Sequence, residues 1–468
     1  MSASPEDRVA RQNTRAELTQ LAWPIAVAMG GETVMGLVDA KLVGGLGRAA
    51  LGGVGLGVTL MYLGYAVVMG IMRGVKVRTA FAVGENRPED GLAYARGGML
   101  LAVVIGCLLF VLGRDVSGLL RAMGTDPELV APATQFFAAV TWGSPAAAVL
   151  VALVQHRQAL GDSRSPMVVA LAANVVNITL AYLLIYGRAG LPALGVRGAG
   201  YATAAVQYLE VVALLALFLR DTRRSAKSTL GVRKALREVF ELGGPTGLQF
   251  GAEMLAFTAF TGILGSLASA EIASHQIALA VIRTSFLPGV AVAEAASVLV
   301  GRALGQRRLD EADRVTYSAL GMAVAFMAAC GVVFGTCGGA IARAFTTDAE
   351  VVAIATRLLV VAALFQVLDA VNIVLRGALR GAKDVRFTAI VGTAVVWTCI
   401  PTSAWFFGKV LGLGALGGWF GFVGETTLAS AILWVRYRRA PWRAQYREAA
   451  PAVVSIPEAP PSGTLRAA

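Results

Sequence analysis

The sequence predicts an all-α polytopic membrane protein of about twelve transmembrane helices, in two six-helix bundles related by a pseudo-two-fold axis along the membrane normal. Three observations carry this. Of the 468 residues, 56% are hydrophobic and 15% charged, with a mean hydropathy of +0.67, whereas soluble domains carry roughly 25% charged residues. Apolar runs long enough to span a bilayer, about 20 residues each, recur along nearly the whole chain. Landmarks of the first half return in the second. A water-exposed surface cannot be built from this composition, which excludes soluble enzymes, nucleic-acid binders and secreted scaffolds.

In chain order the runs fall at 18–44, 50–72, 97–113, 130–154, 166–187, 199–219, 240–267, 271–300, 317–342, 352–379, 387–408 and 414–435. Turn residues separate them, as in Gly84-Glu85-Asn86-Arg87-Pro88, Thr125-Asp126-Pro127 and Leu191-Pro192, and a basic link runs from Arg220 to Arg237. No connection is long enough to fold by itself. The expected division is a cytoplasmic N-terminus (1–17), an N-lobe (18–219, helices 1–6), a cytoplasmic linker (220–239), a C-lobe (240–436, helices 7–12) and a cytoplasmic tail (437–468). The tail is expected to be disordered in its Pro-, Ala- and Ser-rich stretch Pro451 to Ala468. Met1 to Thr19 is polar and charged, unlike a cleaved signal peptide.

Pro24, Gly30, Glu32, Gly44 and Leu46 meet Pro245, Gly251, Glu253, Gly265 and Leu267 at a constant offset of 221 residues, and Gly84 meets Gly305 at the same offset. One residue further on, Thr125-Asp126 meets Thr347-Asp348, and Asp162 with Arg164 meets Asp384 with Arg386. Six helices per half is an even number, so the halves share one orientation. Two such bundles can rock about a central cavity.

The 41 Lys and Arg residues outnumber 29 Asp and Glu, for a net charge of +12. With both termini cytoplasmic, roughly 31 of the basic residues fall in cytoplasmic segments against about nine outside; Arg73, Lys76, Arg376 and Arg380 count among the cytoplasmic ones. The excess charge is topology in a plasma (inner) membrane, and no nucleic-acid partner is implied. Cys107, Cys330, Cys337 and Cys399 lie in or beside apolar runs without CxxC spacing and read as packing residues. No phosphate-cradling GxxxxGK[ST] stretch is present, so energy comes from an ion gradient.

An ionisable residue at membrane depth is costly and marks a functional candidate. Glu32 and Asp39 share one face of the first span, Glu253 lies in the seventh, Arg283 and Glu294 in the eighth and Asp369 in the tenth. The second half thus reads as three buried carboxylates against one arginine. Static pairing of Arg283 with Glu294 or Glu253 is the bland alternative. A carboxylate left unpaired in a low dielectric takes a proton or a cation. Asn174, Asn177, Thr203 and Gln276 add oxygen donors suited to a hard cation such as Na⁺, although the same residue types also hold helices together. His156 and His275, at span ends, are expected to cap helices or sit at the interface.

Met35-Gly-Leu-Val-Asp39-Ala-Lys-Leu-Val-Gly44 resembles the first-helix signature of the multidrug and toxic compound extrusion (MATE) transporters. His275-Gln-Ile-Ala-Leu279 resembles their eighth-helix start, and Phe365-Gln-Val-Leu-Asp-Ala370 through Leu379-Arg-Gly-Ala-Lys-Asp384 resembles their tenth helix and following loop. The resemblance covers nearly the whole chain. It implies a V-shaped, monomeric antiporter in the lipid bilayer, with no cofactor, exporting small cationic amphipathic compounds against Na⁺ or H⁺. By position it assigns Asp39, Asn177 and Thr203 to an N-lobe cation or proton site, and Glu253 and Asp369 to a C-lobe cation site, the place for Na⁺. Glu32, Gln276, Arg283 and Glu294 fall in substrate or auxiliary positions. The chain departs from the family at Ala181 and Phe365, each replacing a polar residue, and at Lys41 and Arg283, which add charge. A flippase-like exporter of a lipid-linked or other metabolite is the rival reading, against which the surplus of carboxylates argues. An enzyme would need a nucleophile with a base, or metal ligands at helical spacing, and the spans carry neither.

The charge asymmetry generates a first prediction. In a background lacking the four native cysteines, a cysteine introduced at Ala189 should react with an impermeant reagent added to intact cells, and one at Ser225 should not. Labelling at position 225 would overturn the orientation.

Overall fold

Long apolar runs bounded by Gly, Pro and Asn become long helices. The computed structural model describes residues 5–447; the tail Pro451 to Ala468 lies outside them. The first bundle holds α1 (Pro5–Gly44), α2 (Arg48–Gly84), α3 (Pro88–Leu112), a short α4 (Ser117–Ala122), α5 (Pro127–Val140), α6 (Ser144–Ala159), α7 (Arg164–Tyr186) and α8 (Val196–Arg224). The second holds α9 (Val232–Gly265), α10 (Ser269–Gly305), α11 (Leu309–Phe345), α12 (Ala349–Gly381), α13 (Val385–Ser403) and α14 (Gly414–Arg439), with α15 (Ala444–Arg447) after it. No strand occurs among the described residues. Eleven of the helical stretches are long and apolar enough to cross a membrane, α5 and α6 counting as one. The twelfth, α14, is 26 residues long but carries Glu425, Thr426 and Ser430 in its middle and three arginines in its last turn.

Two expected boundaries shift. The run 130–154 is broken by a 3₁₀ turn at Thr141–Gly143, just before Pro145 enters the first turn of α6. The linker 220–239 is mostly helix, since α8 continues to Arg224 and α9 starts at Val232.

The repeat extends to the backbone. Asn86 and Arg307 are both left-handed, at φ 57° and 60°, and each is followed by a reverse-turn bond, Arg87 N–H to Ala82 and Arg308 N–H to Ala303, both 2.8 Å. Gly161 and Lys383 pair in the same way at φ 84° and 64°. Asp126 and Asp348 each cap a helix by accepting from the N–H two residues on, at 3.0 and 2.9 Å. Helix neighbours repeat as well: α1 packs on α7 as α9 does on α13, and α2 on α5 and α6 as α10 does on α12. The equivalent glycines Gly84 and Gly305 lie against each other, which puts the pseudo-two-fold axis between them.

The lobes meet at the end where the arginine-rich joins lie. There α2 packs on α9 and α10, α1 on α10 and α11, and α3 on α9. Small residues let backbones approach: a Cβ on Gly70 would lie 2.5 Å from Gly247, and one on Gly97 2.7 Å from Leu236. A buried cluster containing Leu18, Val77, Ala295, Leu299, Leu375 and Tyr437 spans both lobes. Arg302 donates to the Ala159 carbonyl at 2.8 Å, and the Lys383 ammonium sits 3.5 Å from the centroid of the Phe81 ring. Toward the other end the contacts of α2 stay within its own lobe, where Gly52 faces Leu129 and Gly57 faces Phe136. The result is a V whose closed end is basic.

If the closed end depends on backbone contact, Gly70→Val should cost ~1–3 kcal/mol of overpacking and lower the melting midpoint of the purified protein. Gly36→Val, where a Cβ meets nothing within 4 Å, should leave it unmoved. Equal midpoints for the two variants would refute the contact.

Candidate functional site

A cavity of about 510 Å³ opens into the C-lobe beside the gap between the bundles. Its walls are aromatic, with Phe250, Phe257, Phe260, Phe365, Trp419 and Phe422; Phe365 stacks on Phe422, and Trp419 meets Phe422 edge to face. Into this apolar shell project four carboxylates, Glu253, Glu294, Asp369 and Glu425, and four arginines, Arg73, Arg283, Arg376 and Arg380.

On one wall, Arg376 of α12 bridges two helices. Its Nη1 donates to Glu253 Oε1 of α9 at 2.7 Å and its Nη2 to Glu425 Oε1 of α14 at 2.9 Å, while Nε is held by Asn372 one turn earlier at 2.8 Å. Gln249 also donates to Glu253 Oε1 at 2.8 Å. Gly392 on α13 makes room for this pair, because a Cβ there would lie 2.9 Å from Glu253 Oε1. One guanidinium against two carboxylates leaves this wall negative. Asp369, one turn before the network, is 8% exposed and makes no hydrogen bond or ion pair among the described residues.

At the floor, Glu294 of α10 is gripped across the lobe boundary by Arg73 and Lys76 of α2, with Lys76 Nζ 2.5 Å from Oε2. Lys76 is 1% exposed. The expected pairing of Arg283 with Glu294 or Glu253 is therefore not made: both acids have other partners, and Arg283, exposed to the cavity, forms no ion pair among the described residues. Nor is the second half a place of three carboxylates and one arginine. Lys76 and Arg380 are buried here and Arg73 and Arg376 half-buried. All four read as cytoplasmic in the sequence: Arg73 and Lys76 lie past the apolar run of α2, which continues to Gly84, and Arg376 and Arg380 sit at the end of the run on α12, on a side that lines the cavity. Around the cavity, five cations counting Lys76 meet four carboxylates. The carboxylate surplus is confined to the Glu253, Asp369 and Glu425 wall, so it no longer argues against an anionic cargo.

In the N-lobe, Asp39 of α1 and Asn177 of α7 come together: the Asn177 amide donates to Oδ1 at 3.2 Å and to Oδ2 at 3.1 Å. Asn177 is 1% exposed, and its Oδ1 has no partner among the described residues. Thr203 spends its hydroxyl on the Ala199 carbonyl of its own helix, 3.2 Å away, and makes no hydrogen bond to this pair. Glu32 lies within electrostatic reach of Tyr62 and Glu210, and Tyr62 in turn of Arg283 across the gap. Lys41 and Gln276 are exposed, Gln276 lies outside the cavity lining, and Lys41 forms no ion pair among the described residues. Neither histidine caps a helix. His275 is buried against Phe260 and accepts from Trp419 Nε1 at 3.2 Å, and His156 is buried against Phe218.

Sequence reasoning missed Glu210, Glu425 and the inward-facing cations Arg73, Lys76, Arg376 and Arg380. Glu210 and Glu425 had a readable signal, a lone acid inside the runs 199–219 and 414–435. Arg376, inside the run 352–379, had a similar signal, whereas Arg73, Lys76 and Arg380 lie beyond run ends and had none.

A family model described as MatE matches the chain twice, over residues 24–183 and 245–405, one match in each lobe. Proteins named "Probable multidrug resistance protein NorM" from Burkholderia mallei (strain ATCC 23344) and Burkholderia pseudomallei (strain K96243) are each 32% identical to it over 449 residues, 94% of this chain and 95% of theirs. In three dimensions the chain is similar to the crystal structure of the eukaryotic MATE transporter AtDTX14, with a TM-score of 0.85 at 20% identity, covering 94% of this chain and 98% of that one. It is also similar to a MOP superfamily transporter from Pyrococcus furiosus whose binding pocket is described as of reverse polarity, with a TM-score of 0.83 at 20% identity, covering 95% and 100%. These structural likenesses establish the fold.

Removing the bridge on the negative wall should be severe. Arg376→Met leaves Glu253 and Glu425 buried without a counter-charge and is expected to cost about 3–5 kcal/mol. Adding Glu253→Gln should restore much of the loss, which thermal melting of the three proteins would show. A single variant as stable as wild type would contradict the network.

Proposed function

The chain belongs to the MATE family of membrane transporters, and on that premise we propose that it is a secondary active multidrug exporter that antiports cationic amphipathic compounds against Na⁺ or H⁺ by alternating access. The observation that carries the reading is Asp369: a carboxylate with no partner among the described residues, in an aromatic cavity, on a wall where two further acids share one guanidinium. An apolar body with a positive charge fits that wall, since aromatic faces and an unanswered anion both attract it. The V shape, closed at its basic end, supports a cycle in which the gap faces one side of the membrane at a time.

Of the two ions, the geometry favours the proton. Glu253 Oε1 already receives Gln249 and Arg376, which leaves it less free to ligate a metal cation. Asp39, facing the Asn177 amide rather than a ring of oxygens, is also better arranged for a proton than for Na⁺. Asp39 takes a proton when the gap opens to the outside, and a substrate cation competes for its charge. Glu32 is auxiliary to this site, while Glu294 and Arg283 act at the floor and mouth of the cavity. Both termini and the join between α8 and α9 face the cytoplasm.

Proteoliposomes loaded with a fluorescent organic cation test this. Under an imposed pH gradient the wild-type protein should move the dye, and a Na⁺ gradient alone should not drive it. Asp39→Asn and Asp369→Asn should each abolish driven export while keeping the folded yield. Export at the wild-type rate by either variant would remove that residue from the coupling, and motion under neither gradient would reject antiport.

A further inference from the structure

The floor of the cavity has the opposite polarity from its wall. Arg73, Lys76 and Arg380 converge there on a single carboxylate, Glu294, leaving two positive charges without answer. Glu253 is also within reach of Arg380, but Arg376 already holds it. The Arg73 guanidinium carbon lies 4.4 Å from the centroid of the Phe250 ring and that of Arg380 5.1 Å from the same centroid, so one aromatic ring sets their spacing. Arg380 is 8% exposed, forms no ion pair among the described residues, and its Nε has no hydrogen-bond partner; Arg73 Nη1 is likewise unpartnered. Both side chains line the cavity. Buried donors of this kind are costly unless something accepts from them. A planar guanidinium is suited to an oxyanion, which takes two of its N–H groups at once.

We propose that Arg73 and Arg380, set against Phe250 at the cavity floor, form a subsite for an oxyanion carried on an apolar body, a carboxylate or phosphate ester. The inference rests on the reading of this cavity as the cargo site, and it gives that site two poles. The acid end of the cargo meets the floor, its apolar body lies along Phe257 and Phe365, and a positive end, where present, faces Asp369. Cargo bearing both charges then spans the cavity. Because the floor is built from both lobes, with Arg73 on α2 and Arg380 on α12, such cargo also bridges them.

The test compares two dyes that share one cationic fluorophore, one with a free benzoate and the other its methyl ester, binding to purified full-length protein by fluorescence anisotropy. Wild type should bind the acid about tenfold tighter than the ester, the worth of one charge-assisted hydrogen-bonded pair. In Arg380→Gln that ratio should fall toward one, and Arg380→Lys should keep part of it. An ester bound as tightly as the acid by wild type overturns the subsite whether or not any variant folds, and so does an undiminished ratio in Arg380→Gln. Millimolar inorganic phosphate that displaces the acid dye but not the ester would show that the free oxyanion suffices; failure to displace the acid, with the ratio intact, would show that the apolar body is required. An acid preference in a protein that exports neither dye would sink the export reading and leave the subsite standing.

Discussion

Ionised groups inside the bundle must be answered within the protein, because the surrounding hydrocarbon offers neither water nor counter-ions. Much of the architecture follows from how that demand is met. Arg376 ties α9, α12 and α14 together through Glu253 and Glu425, and Glu294 ties α10 to α2 across the lobe boundary through Arg73 and Lys76. Truncating one member of such a set strands its partner in a low dielectric, so these charges act as fasteners between helices whose apolar faces would otherwise be interchangeable. Among the described residues the demand is left unmet at Asp369, Arg283 and Arg380, which line the cavity, and at Glu32 and Glu210 in the N-lobe. Paired charges hold the frame, and on the proposed reading the unpaired ones are left for what enters it.

How much of this could be read from the chain depends on the range of the physics involved. Span number and the internal repeat are one-dimensional properties, carried by apolar length and by the offset linking Pro24 to Pro245 and Gly84 to Gly305. The left-handed turns at Asn86 and Arg307 show the repeat reaching the backbone. The partners of the charges were not legible. Pairing depends on which helix faces meet, and Lys76 and Glu294 lie 218 residues apart. Hydropathy also misled at the run ends: α2 continues to Gly84 although its apolar run stops near residue 72, so Arg73 and Lys76 read as loop residues when they pack at the lobe boundary, Lys76 buried and Arg73 half-buried. Asp39 with Asn177 was reachable through a resemblance of motifs, which carries contact information that a single sequence does not.

The two lobes share one design and use it differently. Each keeps an acid on its first helix at the repeat position, Glu32 and Glu253. Glu253 is locked by an arginine, while Glu32 remains exposed within reach of Glu210 and Tyr62. The C-lobe has the aromatic cavity, with Trp419 and Phe260 packed around His275. The N-lobe has instead a small polar contact, Asp39 with Asn177, beside a core in which Ala181 is buried. The duplicated bundle is thus no longer symmetric, one half enclosing an aromatic cavity and the other a single carboxylate–amide contact.

The glycine contacts at the closed end have a kinetic corollary. Where Gly70 faces Gly247 and Gly84 faces Gly305, backbone lies against backbone, and on the proposed cycle few side chains there would have to change rotamer for the lobes to part. A knobs-into-holes interface would have to be unpicked row by row. Under the proposed export cycle, the contacts that parting would break are then the buried cluster around Leu18, Val77 and Tyr437 and the grip of Arg73 and Lys76 on Glu294, and single substitutions there would retune turnover without rebuilding the scaffold.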